Sequence, residues 1–407
     1  MLRTATPASP ADPPQWVRTP EELFRLATSL RGIGTMAVDS ESDSLHHFPE
    51  KVCLVQLATP RGDAYLVDPL AVRDLGALGP ALADTHVVKV LHGASYDLAS
   101  MKRDFGFSFA GLFDTMVAAQ FLGMPGVGLT ALLQQILGVT AGVSRQKDDW
   151  AMRPLSPVQE QYAVEDVRHL ITLRERLLEA LRAQGREGWV EEECRVLETT
   201  PAAERIFRPD DCLQIKGARS LDRRGLGVLR ELYVARETWA HAGGRPPFKV
   251  LGNDTLLRLA AERPMTSDGL ARVAGCTPSV VGRYGEGILQ AISRGVAIPD
   301  SALPILRRAQ KPRVAPAVAR RIAGLTTWRA EAASRLGLDP GLLLPRRLIE
   351  RLAEQAPAHV DGLEAIEGIR RWRVAALGAE IVAALADGGG FARRDAGGGD
   401  GRGVETG

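Results

Sequence analysis

The chain has 407 residues, more than one typical domain, with 45% hydrophobic and 25% charged residues, which excludes a disordered or fibrous chain. Its four cysteines, Cys53, Cys194, Cys212 and Cys276, are scattered without a CxxC pair, which speaks against a zinc site or disulfide framework and for a reduced, cytoplasmic protein. The net charge of +2 conceals a split: residues 1–200 carry 19 Lys and Arg against 26 Asp and Glu, and residues 201–407 carry 32 against 23, so the second half either holds a polyanion or spreads abundant Arg over solvated faces.

In chain order, residues 1–18 are polar and Pro-rich and are expected to be disordered. Their opening, MLRTATPASPADPPQW, lacks the apolar core of a signal peptide, and no run approaches the roughly 18 apolar residues of a membrane span. "TPEELFRLATSLRG" predicts a helix with Thr19 as N-cap, Pro20 at N1 and Glu22 closing a capping box. "TMAVDSE", "VCLVQLA", "AYLVDP" and "VVKVLHGAS" read as strands. "YDLASMKRDFG", "LFDTMVAAQFLG" and "GLTALLQQILG" read as helices, and Ser156 to about Ala183 as one long amphipathic helix capped by Ser156-Pro157. Early strands and later helices predict a mixed α/β domain over residues 19–200.

The remainder reads as all helix, and it repeats. At an offset of 93 residues, Arg236 falls on Arg329, Pro247 on Pro340, Leu259-Ala260 on Leu352-Ala353 and Gly275 on Gly368. A constant offset through helices and loops predicts two copies of one small bundle, over 215–297 and 315–386. A Pro-rich basic linker, 298–314, joins them, and a Gly-rich tail, 387–407, is expected to be disordered.

Asp39 and Glu41 close the first strand two residues apart. They therefore share a face, about 7 Å apart along the backbone. Two like charges held so close suit a hard divalent cation, or else a solvated strand end. Asp97 follows the fourth strand and reads as a site acid or as a cap complementing a helix dipole. Tyr162 and Asp166, four apart, share one helical face. Asp114 reads as an N-cap, and His92 as a packed residue rather than a base. His46-His47 fall in a loop of no evident role, and Trp150, Trp239 and Trp328 read as core.

Three stretches carry a resemblance. "MAVDSES", "KVLHGASYDLASM" and "YAVEDVRHL" resemble, in order, the three motifs of the DEDD 3′–5′ exonucleases, in the DEDDy form with Tyr-x3-Asp. "RQKDDWAMRPLSPVQEQYA" is similar to the segment before the third motif in bacterial ribonuclease D. The repeated bundle resembles tandem HRDC domains; its first copy, with "RPPFKVLGNDTLLRLA", fits that pattern well and its second, "LDPGLLLPRRLIERLA", more loosely. The resemblance implies an RNase H-like exonuclease domain with a mixed sheet, followed by two all-α bundles. It implies Asp39, Glu41, Asp97 and Asp166 as ligands of two divalent ions, Mg²⁺ or Mn²⁺. It implies Tyr162 as a residue that orients the attacking water, since a phenol of ordinary pKa near 10 is a poor base at pH 7. Gln56, Lys147 and Arg153 are candidate substrate contacts, each equally readable as a strand-face polar or a surface charge. The implied activity is removal of 3′-terminal nucleotides as 5′-monophosphates from RNA with a free 3′-hydroxyl, tRNA precursors above all, by a monomer that is not membrane-bound. A DNA exonuclease of Werner type and a non-catalytic RNA-binding scaffold are the alternatives.

Overall fold

A computed structural model describes residues 13–140, 142–199, 201–202, 206–306 and 314–386. The tail from 387, part of the linker (307–313) and residues 1–12 lie outside the described residues. Contacts divide the chain into two units. One comprises residues 1–118, 126–180 and 194–310; the other comprises 119–125, 181–193 and 311–407.

The first unit is built on a six-stranded sheet. Its strands are β1 (Gln15–Val17), β2 (Thr35–Ser42), β3 (Val52–Ala58), β4 (Ala64–Val67), β5 (Val88–Leu91) and β6 (Leu112–Asp114), in the order β1-β4-β3-β2-β5-β6. β3 runs antiparallel to β2 and β4, and the β1–β4, β2–β5 and β5–β6 pairs are parallel. The four predicted strands are present. β1 corrects the expectation that everything before residue 19 is disordered: Gln15–Val17 pairs with Tyr65–Val67 at the sheet edge. β6 corrects the reading of "LFD" as helix.

The predicted first helix is α1 (Pro20–Ser29), with its Thr19 cap and Thr19/Glu22 capping box. A short α2 (Gly79–Ala83) precedes α3 (Ser95–Phe105), α4 (Thr115–Phe121) and α5 (Leu129–Leu132). α5 passes into a π-helical turn over Leu133–Leu137, an irregularity that often marks functional sites. The long predicted helix is two, α6 (Pro157–Arg168) and α7 (Leu170–Ala183), because His169 leaves helical geometry at φ −101°, ψ −4°. α8 (Glu187–Thr199) follows. One face of the sheet packs Met36, Val38, Val55 and Leu57 with Leu30, Leu82 and Met101. Leu54 and Leu66 pack with Trp150, Ala163 and Val164, the last two on α6.

The first bundle comprises α9 (Arg223–Gly243), α10 (Pro247–Val250), α11 (Asn253–Glu262), α12 (Ser267–Arg272) and α13 (Pro278–Ala297). The second comprises α14 (Pro316–Leu336), α15 (Pro340–Leu343), α16 (Arg346–Gln355), a 3₁₀ turn over Val360–Leu363 and α17 (Arg371–Ala386). The offset of 93 holds at both ends of the α9/α14, α10/α15 and α11/α16 pairs. It reaches the backbone too: Gly244 and Gly337 are left-handed, as are the non-glycines Arg263 and Ala356. The buried Arg236 donates to the Leu251 carbonyl at 3.1 Å, and Arg329 to that of Leu344 at 3.0 Å.

Each bundle has its own attachment. In the first unit, the Phe48 N–H donates to the Gly244 carbonyl at 3.2 Å, and its ring meets that of His241 at 4.6 Å. In the second unit, Trp372 stacks on Trp189 with centroids 4.4 Å apart, and Arg370 and Arg373 pair with Glu193. Glu192 accepts from the N–H groups of Arg371 and Trp372, capping α17. At Gly123, φ is +70° and a Cβ would stand 2.0 Å from the Gly337 carbonyl oxygen, so only glycine fits there.

Candidate active site

β2 lies inside the sheet, paired on both sides, and its end delivers the acids. Pleating puts Asp39 and Glu41 on one face. The β2–β3 register slips between Glu41 and Ser42, a bulge of the kind that re-aims side chains beside active sites. α6, started by the Ser156/Gln159 capping box, brings Asp166 to the same face. One carboxylate oxygen from each of Asp39, Glu41 and Asp166 lies within 4.8 Å of the others. Asp97 sits in the first turn of α3, where Ser40 Oγ donates to its Oδ1 at 2.6 Å. All four acids and Tyr162 line one cleft of about 1090 Å³.

This crowding is electrostatically costly. Burial, then the charges of Asp97, Asp166 and Glu41, pushes Asp39 well above the ordinary carboxylate range. Burial and the charges of Asp166, Asp97 and Asp148 raise Glu41 to about 9. Burial raises Asp166 to about 7, against the stabilising hydrogen bond of Tyr162. Asp97 rises only to about 6, because Ser40 stabilises its charge. Tyr162 is pushed well above 10 by burial and by Asp166 and Glu41. It therefore stays a phenol, able to donate but not to act as a base. A buried set of hard oxygen donors that repel one another fits a divalent cation.

The other candidates fare differently. Lys147 is exposed beside Gln146, which lines the cleft. Arg153 is not free for phosphate. Its guanidinium donates to both Asp68 oxygens and to the carbonyls of Cys53, Trp150 and Met152, so it braces the chain before α6. Gln56, opposite Asp39 in the β2–β3 register, is fully buried with neither amide atom hydrogen-bonded, and it is not among the residues lining the cleft. Trp150 is fully buried, as core. Asp114 caps α4 through Met116 N–H and also holds the Gly93 and Ala94 N–H groups ahead of α3. His92 lines the cleft, its Nδ1 2.9 Å from Thr115 Oγ1. Because that hydroxyl spends its proton on the Leu91 carbonyl, Nδ1 carries the ring proton. Sequence reasoning missed Ser40 and the cleft wall of Leu129, Leu133 and Gln134. Their signals were a serine between the motif acids and an apolar helix like any other.

Comparison with known proteins agrees with this geometry. A 3′–5′ exonuclease family model matches residues 14–182, and an HRDC domain model matches 225–292 and 319–385. A curated ribonuclease D of Gluconacetobacter diazotrophicus is 35% identical, over 95% of this chain and 96% of that protein. That of Pseudomonas paraeruginosa is 31% identical, over 91% and 97%. The catalytic core of RRP6 from Trypanosoma brucei is 28% identical with a TM-score of 0.65, covering 74% of this chain and 85% of that one. Escherichia coli RNase D, 24% identical with a TM-score of 0.69 over 92% and 99%, shares the fold. With this identity over nearly its whole length and both domain types in order, the chain belongs to the ribonuclease D family of 3′–5′ exoribonucleases.

Proposed function

We propose that the cleft hydrolyses the last phosphodiester of RNA with a free 3′-hydroxyl, using two divalent ions, Mg²⁺ or Mn²⁺. The observation that carries this is the convergence of the Asp39, Glu41 and Asp166 carboxylates within 4.8 Å, with Asp97 held alongside by Ser40. Bound ions would supply the charge neutralisation and water activation that phosphodiester hydrolysis needs. Asp39, Glu41 and Asp166 would hold one ion, and Asp39 and Asp97 the other. Tyr162, kept protonated, would orient the attacking water by turning its hydroxyl proton toward it from Asp166, to which it donates in the metal-free protein. That water's oxygen bonds to phosphorus, and the 3′-oxygen of the preceding nucleotide leaves with a proton. A nucleoside 5′-monophosphate is released, and the shortened RNA again ends in a 3′-hydroxyl.

In this reading residues 19–200 carry the chemistry. The bundles at 215–297 and 315–386 hold structured RNA such as tRNA precursors, and the protein works as a monomer in the cytoplasm. No helix among the described residues is long and apolar enough to cross a membrane. The test is 5′-labelled RNA with a free or phosphate-blocked 3′ end, beside a matched DNA strand, with and without chelator. Stepwise shortening of only the free-ended RNA, abolished by chelator and by Asp39→Ala, is the expected result. Equal digestion of blocked RNA would overturn the reading.

A further inference from the structure

The cleft contains an aromatic residue that neither the fold nor the four acids require. Tyr96 lies next to Asp97 in the first turn of α3, lines the cleft, and leaves 47% of its surface exposed. The buried side of α3 is supplied by Leu98 and Met101, so the Tyr96 ring adds nothing to that core. It is nonetheless fixed: its hydroxyl lies 2.9 Å from Ser42 Oγ. This bond repeats the one beside it. Ser40 holds Asp97, and Ser42, two residues on, holds Tyr96. Two alternate serines of β2 thus position two consecutive residues of α3, one an acid of the site and the other an aromatic plane.

An immobilised aromatic face bordering a polyanion-processing cleft has one evident chemical partner, a nucleobase. Stacking tolerates any base, as an enzyme that removes successive nucleotides requires. Fixing the ring beforehand lowers the entropy cost of binding. We propose that Tyr96 is a substrate-positioning residue, a stacking platform for the base of one of the two nucleotides flanking the scissile phosphate. This rests on the reading of the cleft as an RNA exonuclease site.

The test compares wild type, Tyr96→Ala and Tyr96→Phe on RNA that is intact or abasic at its last or next-to-last nucleotide. Losing a stacking platform costs about 5- to 100-fold in kcat/KM, so Tyr96→Ala falls by that factor on intact RNA. Tyr96→Phe keeps the ring and most of the activity. At one of the two positions the abasic lesion slows wild type by a similar factor but slows Tyr96→Ala little further, because the two changes remove the same contact. If the lesion costs wild type and Tyr96→Ala equally at both positions, the platform does not exist. Should Tyr96→Ala melt early, Tyr96→Leu, which keeps apolar volume but no π face, carries the same comparison. Failure of wild type to shorten RNA at all would instead refute the exonuclease reading.

Discussion

Ser40 Oγ donates to Asp97 Oδ1 at 2.6 Å, joining the strand that carries Asp39 and Glu41 to the helix that carries Asp97 across 57 residues of sequence. The bond orients one carboxylate and keeps its pKa nearer the ordinary range than that of Glu41. Residues that orient metal-binding carboxylates typically matter 10- to 100-fold in metal affinity or activity. Ser40→Ala is therefore expected to lower RNA hydrolysis by about that factor while leaving thermal stability nearly unchanged. Ser40→Thr, which keeps the hydroxyl, should recover most of it. Steady-state rates across a Mg²⁺ titration test this, and a Ser40→Ala enzyme with wild-type rates would discard it.

The acid cluster should set function against stability. Glu41 titrates near 9 in the folded protein, against about 4.5 when unfolded, and Asp39 is likewise raised. Between those values the folded metal-free chain binds more protons than the unfolded one, so its stability falls as pH rises from about 5 to 9. Asp39→Asn is expected to raise metal-free stability by about 1–3 kcal/mol at pH 8, to flatten that pH dependence, and to abolish hydrolysis. Denaturant melts of both proteins at several pH values, in chelator, provide the check. A less stable Asp39→Asn would contradict the electrostatic account.

Much of this was legible in the sequence, for identifiable reasons. β2 and β3 are eight and seven residues long and carry apolar runs bounded by turn residues, which is enough to mark them as strands, and the 93-residue offset is a property of the sequence itself. β1 and β6 have three residues each, too few for any period, and "LFD" runs straight into a helix. The motif acids could be named because local sequence marks them. The fate of Arg153 could not, because its acceptors, the Asp68 carboxylate and the Cys53 carbonyl among them, lie 85 and 100 residues away. Gln56 is hidden for a similar reason: a polar side chain in an apolar strand does not announce that the strand is covered on both faces.

The first bundle offers Lys216, Arg219, Arg245 and Lys249 to solvent, none with a carboxylate partner among the described residues. Exposed cations of this kind suit phosphate contacts, each adding about one to the slope of log affinity against log salt. RNA affinity is expected to fall steeply between about 50 and 200 mM salt. Replacing Arg245 and Lys249 by Gln should weaken binding of all sequences alike and reduce the slope by up to about two. Fluorescence anisotropy at four salt concentrations measures both, and an unchanged slope would place the phosphate contacts elsewhere.

The two bundles diverge where α17 begins. Trp372 is 5% exposed, stacks on Trp189, meets Phe121 edge-on at 5.3 Å and donates from Nε1 to Glu193 at 3.0 Å. Its counterpart in the first copy is the exposed Ser279. Trp372→Ala should cost about 3–5 kcal/mol, seen as faster amide exchange through 316–386. Ser279→Ala should stay within about 0.5 kcal/mol of wild type. Equal effects would mean that the Trp372 stack contributes nothing to its unit.

Lys89 is the largest charged side chain wholly buried in the sheet, on β5 with its ammonium donating to the carbonyls of Asp84 and Val87 at 2.6 Å each. Burial lowers its pKa from 10.5 to about 8, partly offset by Asp84 and Glu198. Below pH 8 both folded and unfolded chains carry the charge, and the full burial cost is present. Between about 8 and 10.5 the folded protein sheds the proton that the unfolded chain keeps, so this group makes stability rise with pH, by at most about 1.4 kcal/mol per unit. Lys89→Met removes the titration. The stability of wild type relative to Lys89→Met is therefore expected to be flat from pH 6 to 7.5 and then to climb toward pH 10. Paired urea melts at half-unit steps decide it: a constant difference would mean that the two carbonyls solvate the ammonium as well as water does.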